Sequence, residues 1–187
     1  MRGGVALGVV QLALLRRQGI EQFEGTTKAF LNSLAPLIAF PLAGGVLGVL
    51  SGDGLDAVAG FLGTVVALLA PPVLSELLAR FWRREREWLR YATAFNWSRW
   101  AMLLALGAAL MLMGMLASAG IGRRAAVLAG LMAVAGYGVV LDWFVARVGL
   151  RLAGWQAAVL VVVVNAGAAL LFLAPRLLGG FAEGPAT

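Results

Sequence analysis

Five polar side chains lie within or beside long apolar stretches of this sequence, where charged and amide groups are costly unless they have partners. In chain order they are Glu76, Asn96, Arg99, Asp142 and Asn165. A guanidinium can form charge-assisted hydrogen bonds with two carboxylates, and amides can extend such a network. Inside a helix bundle, this cluster would either tie helices together or line a polar pathway for a proton or a small solute.

The depth of the charged members can be counted from the nearest flanking arginine. At about 1.5 Å per residue, Glu76, Arg99 and Asp142 lie about 6, 13 and 8 Å from that arginine, which places all three at a shallow depth on one side. We therefore expect Arg99 to bind both carboxylates and Asn96, one turn earlier, to join them. A second arrangement remains open, in which Glu76 pairs with Arg80 on its own helix and Arg99 extends outward.

The composition disfavours catalysis. The sequence has no cysteine and no histidine. It therefore lacks a thiolate nucleophile, the commonest general base and the commonest ligands of zinc, haem and di-iron centres. We predict a non-enzymatic protein with no catalytic residue, no metal site and no cofactor.

The apolar content predicts a membrane protein. Hydrophobic residues make up 61% of the chain and the mean hydropathy is +0.91. A soluble domain has about 45–50% apolar residues, and a span needs about 20. We predict an all-α fold, a polytopic bundle in a single membrane domain (1–187) with an additional short helix at the N-terminus. The predicted spans are about 28–50, 56–80, 96–117, 125–146 and 155–173.

The N-terminal stretch, about residues 4–17, is apolar but too short to span a bilayer. It ends at Arg16 and Arg17. We interpret it as an amphipathic helix in the membrane interface, anchored by its basic end, with a short buried helix as the alternative.

The distribution of basic residues predicts the orientation. Of 15 lysine and arginine residues, all except Arg123, Arg124 and Arg176 fall on the side of the N-terminus. The positive-inside rule then gives a cytoplasmic N-terminus and a periplasmic C-terminus. The net charge of +6 reflects this topology and does not indicate nucleic-acid binding. One lysine against fourteen arginines, with abundant alanine and glycine, indicates a high-GC bacterial source and hence an inner membrane.

All six tryptophans fall on that same predicted cytoplasmic side. One interpretation is an aromatic belt that fixes helix tilt. The other is an interaction platform for anionic lipids or for a protein partner, which could be a second copy of the chain. The candidate residues of this platform are Trp82, Arg83, Arg84, Arg86, Trp88 and Trp97.

Two short motifs resemble those of the Yip family of five-span membrane proteins, especially its small bacterial inner-membrane relatives. The first comprises Phe23, Gly25, Thr26, Phe30 and Ser33, and the second Tyr91, Asn96, Trp97 and Ser98. Eukaryotic Yip proteins engage small GTPases and membrane-shaping partners through a long cytoplasmic N-terminal region. This sequence shows no such region, so the resemblance implies mainly the topology.

Two functions follow as hypotheses. The first is a membrane scaffold or organiser that acts through the Arg/Trp-rich cytoplasmic face. The alternative is a small transporter or channel component that uses the polar cluster. A water-accessible cavity reaching Asn165 would favour transport, whereas a packed bundle would favour the scaffold.

Overall fold

The computed structural model describes residues 4–52 and 54–182, and this part of the chain is helical without any strand. A 3-10 helix, Arg17–Gln22, lies between the first two α-helices. The α-helices are α1 (Val5–Ala13), α2 (Thr27–Leu50), α3 (Gly54–Phe81), α4 (Glu85–Ser118), α5 (Arg123–Gly149) and α6 (Gly154–Ala182). The predicted all-α fold with a short N-terminal helix is confirmed.

Five of these helices are long and apolar enough to cross a membrane, as in a multi-pass membrane protein. They contain the segments Thr27–Leu50, Ala57–Phe81, Glu85–Ser118, Arg123–Gly149 and Gly154–Leu171, with mean hydropathies of 1.8 to 2.1. Between about a tenth and a fifth of each apolar segment is buried inside the protein. Most of this apolar surface is therefore available to lipid.

Local signals explain where two of the helices begin. Thr26 caps α2, because its Oγ1 accepts a hydrogen bond from the backbone N–H of Ala29 at 3.1 Å. Helix α4 begins at Glu85, well before the predicted span near Asn96. Glu85 and Glu87 lie in its first turn, where negative charge stabilises the N-terminus of a helix. The charged segment before that span is therefore mostly helical.

The chain runs up and down through the bundle, which gives it two distinct ends. We call one the arginine end: it comprises the 3-10 helix, the start of α2 and the connections 82–84 and 150–153. The other is the far end, which comprises residues 51–52 and the connection 119–122. Helix α2 packs on α3, α3 on α6, α6 on α5, α5 on α4, and α4 on α2, so the five long helices form a closed ring.

The core lies near the arginine end. Its largest fully buried side chains include Tyr91 of α4, Leu141 of α5 and Leu150, which directly follows α5. Towards the far end, contacts are made pairwise by small residues. A Cβ at Gly48 would lie 2.8 Å from the Cβ of Ala57, which brings α2 against α3, and Gly130 lies against the side chain of Met113.

Helix α1 is shorter than predicted and is docked on the bundle. Leu12 is fully buried, and the Tyr137 hydroxyl donates a hydrogen bond to the Ala13 carbonyl at 2.9 Å. The outward face exposes Leu7 and Val10 and is also apolar. The structure thus combines the two sequence interpretations, since one face packs on α4 and α5 while the other is suited to lipid. The helix ends at Ala13, before the two arginines.

Candidate functional site

The predicted pair of Arg99 and Asp142 is present in the structure. The Nη2 atom of Arg99 lies 2.9 Å from Oδ1 of Asp142, and the Asp142 side chain is only 9% exposed. The guanidinium carbon of Arg99 also lies 4.1 Å from the centre of the Phe95 ring. This cation–π contact and the ion pair hold Arg99 against α5.

Glu76 does not join this pair, so the expectation that Arg99 binds both carboxylates is wrong. The carboxylate of Glu76 accepts a hydrogen bond from Arg80, four residues later on the same helix. Both side chains are considerably exposed. The local i, i+4 arrangement therefore prevails for Glu76, because it needs no reach between helices.

Asn96 also bonds differently from the prediction. Its Nδ2 donates to Oγ of Ser33 on α2 at 2.9 Å, and both residues are buried. Ser33 in turn donates to the carbonyl of Phe30 at 2.6 Å. Asn96 was expected to share the network of Arg99, and instead it connects α4 to α2.

A third connection involves residues that were not predicted as part of the cluster. Nε1 of Trp88 donates to Oγ of Ser75 at 3.1 Å, and Ser75 is buried in α3. The buried side chain of Tyr91 also lies against Ser75. A serine in an apolar helix does not by itself indicate a functional position. The only feature of the sequence that could have pointed to Ser75 is its position one residue before Glu76.

Asn165 lies next to the ion pair. Its Nδ2 donates to the carbonyl of Val161 on its own helix at 2.9 Å, and its amide also faces the Asp142 carboxylate. Polar contacts thus connect α4 to α2, α3 and α5, and reach α6 through Asp142. Among the described residues, no group of three or more acidic side chains is placed to hold a metal ion.

The candidate platform divides into two kinds of surface. Arg83 and Arg86 are exposed, and Arg84 is half-buried. Trp82, Trp88 and Trp97 are all half-buried. Trp88 packs on Phe30 with ring centres 5.3 Å apart, and Trp82 packs on Trp155 at 6.4 Å. The indoles therefore contribute mainly to packing, and the guanidinium groups form the accessible surface.

A cleft of about 770 Å³ opens at the arginine end. Its base is the start of α4, and its walls are the segment 17–26 and the connection after α5. Two close approaches shape it, since a Cβ at Gly25 would lie 3.4 Å from Cβ of Arg90, and one at Gly149 would lie 3.0 Å from Cβ of Tyr91. The charged residues that line it are Arg17, Glu21, Glu24, Arg86, Glu87, Arg90 and Arg151.

Two further cavities are apolar. One of about 270 Å³ lies between α2 and α3, and one of about 470 Å³ lies between α1, α4 and α5. Neither these cavities nor the cleft is lined by Arg99, Asp142 or Asn165. These residues therefore line none of the three, although the Arg99 side chain is 37% exposed and Asn165 is exposed on the outside of the bundle.

Comparison with protein-family models, curated proteins and solved structures finds no match to this chain.

Proposed function

We propose that this protein is a non-enzymatic, Yip-like scaffold of a bacterial inner membrane, which organises lipid or a protein partner through its arginine end. The five apolar helices provide the membrane anchor. The Yip-like character rests on the two sequence motifs. Residues of these motifs take part in packing: Ser33 and Asn96 bond each other, and Phe30 contacts Trp88.

The proposed orientation places the arginine end in the cytoplasm. The positive-inside rule supports this placement, because that end carries most of the basic residues. The anionic cytoplasmic leaflet attracts such residues by about 1 kcal/mol each when they lie near its surface. Exposed Arg83 and Arg86 are suited to this contact.

The bonding of the polar groups to one another is the observation that carries the choice of a scaffold over a transporter. Arg99 and Asp142 form an ion pair with each other, and Asn96 donates a hydrogen bond to Ser33. A pathway for a solute needs polar groups that face water, whereas these groups connect helices. The cluster therefore supports a structural role, and the accessible chemistry lies at the arginine end.

Co-purification from native membranes in mild detergent tests this proposal. We expect the wild-type chain to retain a protein partner or a second copy, and the double variant Arg83→Gln with Arg86→Gln to retain at least about fivefold less, in line with the loss of two surface charge contacts. The matched control is Arg123→Gln with Arg124→Gln, which removes two arginines from the start of α5, next to the far end, and should leave retention unchanged.

Two outcomes would contradict the scaffold. One is a wild-type chain that isolates without a protein partner, a second copy or bound lipid. The other is a solute flux into vesicles that Asp142→Asn abolishes at normal protein abundance, since this would assign the cluster to transport.

A further inference from the structure

The cleft at the arginine end contains four arginines together with the carboxylates of Glu21 and Glu87. Its four arginines are Arg17, Arg86, Arg90 and Arg151. Within residues 4–52 and 54–182, none of the four forms a salt bridge, and neither does Glu21 on the wall or Glu87 on the base. Because these opposite charges share the cleft without pairing, the space between them is bordered by both positive and negative groups.

The positions of these groups explain why they remain apart. Arg86 and Arg90 are one turn apart on α4, so both lie on the helix face that forms the base. Arg151 follows α5 and is held in the left-handed backbone region at a φ of 52°. Glu21 belongs to the 3-10 helix on the opposite wall. The close approaches of Gly25 to Arg90 and of Gly149 to Tyr91 hold the two walls against α4.

The cleft also has apolar parts. Half-buried Val148 lines it beside the charged residues, together with Ile20 and Phe23, which are mostly buried behind them. It lies where α4 and α5 reach the arginine end, at the level of a lipid headgroup if these helices span the bilayer. A ligand that fits would carry a phosphate, a nearby cation and an apolar attachment.

We propose that this cleft binds the headgroup of an aminophospholipid, with the phosphate held by the arginines and the ammonium group by Glu21 and Glu87. Guanidinium groups bind phosphate through paired hydrogen bonds, which an ammonium group cannot provide. The carboxylates provide the acceptors that an ethanolamine ammonium requires. The inference rests on the proposed function in placing this end at the cytoplasmic leaflet.

Native mass spectrometry of the full-length chain in mild detergent tests the site with two lipids of equal chain length. Phosphatidylethanolamine has phosphate and ammonium, and phosphatidylglycerol has phosphate alone. We expect the first to bind about threefold to tenfold tighter, as one or two partly exposed ion pairs would give. Equal affinity, or tighter binding of phosphatidylglycerol, would overturn the proposal.

Variants separate the two halves of the site. Arg90→Gln with Arg151→Gln should weaken binding of both lipids, whereas Glu21→Gln with Glu87→Gln should abolish the preference for ethanolamine. The far-end control, Arg123→Gln with Arg124→Gln, should bind both lipids like the wild type. Thermal unfolding confirms that each variant is folded, and folded variants with unchanged binding would refute the assignment.

Soluble phosphoethanolamine distinguishes a lipid headgroup from a free phosphate compound. We expect it to displace phosphatidylethanolamine only at far higher concentration, because it lacks the apolar attachment. Equal affinity would overturn the lipid assignment. Since binding is measured on the purified chain, its failure leaves the proposed scaffold and orientation to their own tests.

Discussion

The carboxylate of Asp142 lies inside an apolar bundle, and its side chain is 9% exposed. Such a group is tolerated when a guanidinium and further hydrogen bonds compensate for the water it has lost. Arg99 provides the charge, and the amide of Asn165 faces the same carboxylate. Removing one partner therefore costs more than the pair itself contributes.

We expect Arg99→Ala to destabilise the folded protein by about 2–4 kcal/mol, because Asp142 would remain buried without its counter-charge. This is somewhat less than for a fully buried pair, since the Arg99 side chain is 37% exposed. Thermal unfolding in detergent and abundance in the membrane measure the effect. The double variant with Asp142→Asn should recover much of the loss.

Arg80→Ala is the matched control for this prediction. It breaks the exposed pair with Glu76 and should cost less than about 1 kcal/mol. Equal effects of the two substitutions, or an unchanged stability of Arg99→Ala, would show that the ion pair does not hold α4 to α5.

The polar residues show how much of the candidate site can be predicted from the sequence. The pairing of Arg99 with Asp142 follows from their types and from depth, which a count along the helix provides. Direction around the helix axis is a separate quantity, because successive residues differ by about 100°. Ser75 therefore faces α4, whereas Glu76, one residue later, is directed to Arg80.

At the scale of the elements, apolar runs predict the existence of the five long helices but not their ends. Arg83 and Arg151 end helices with positive φ values of 57° and 52°, where glycine is the usual residue. The backbone N–H of Arg84 then donates to the Ala79 carbonyl at 2.7 Å, which closes the last turn of α3. Arginine in this position gives no signal in the sequence.

The contact of α2 with α3 provides a test at this scale. Gly48→Leu should destabilise the protein by about 1–3 kcal/mol, because its Cβ would lie 2.8 Å from that of Ala57. Gly44→Leu is the control, since a Cβ there meets nothing within 4 Å. The control should be neutral or stabilising by up to about 1 kcal/mol through helix propensity. Thermal unfolding in detergent compares the two.

If both leucine variants unfold at the same temperature, α2 and α3 do not approach closely at Gly48. Gly48 then has no role in the packing of these two helices.

For the whole molecule, the composition predicts that the chain lies in a membrane and that its fold is helical. It does not predict the order of the helices around the ring. Helices that are apolar on all sides have no marked inner face. The order depends on a few buried polar groups and glycines, such as Asn96 against Ser33 and Gly167 against Leu74. These pairings become visible only in three dimensions.

The orientation can be tested directly because the chain contains no cysteine. Single variants Ser118→Cys and Arg83→Cys place one thiol at each end of the bundle. In intact cells, a membrane-impermeant maleimide should label Ser118→Cys, and it should label Arg83→Cys only after the membrane is opened. The reverse pattern would invert the orientation, and labelling of both in intact cells would exclude an odd number of spans between them.

The polar connections of this fold are concentrated at one end, and this has a consequence for how its sequence can change. Around Leu110 and Met111, which are 59% and 75% exposed, any apolar side chain is compatible with the fold. Around Ser33 and Tyr91, both about 1% exposed, the packing restricts the size of each side chain and also the hydrogen bonds that it can form. Under random mutagenesis with selection for abundance, variation should therefore accumulate in one half of the molecule and be purged from the other.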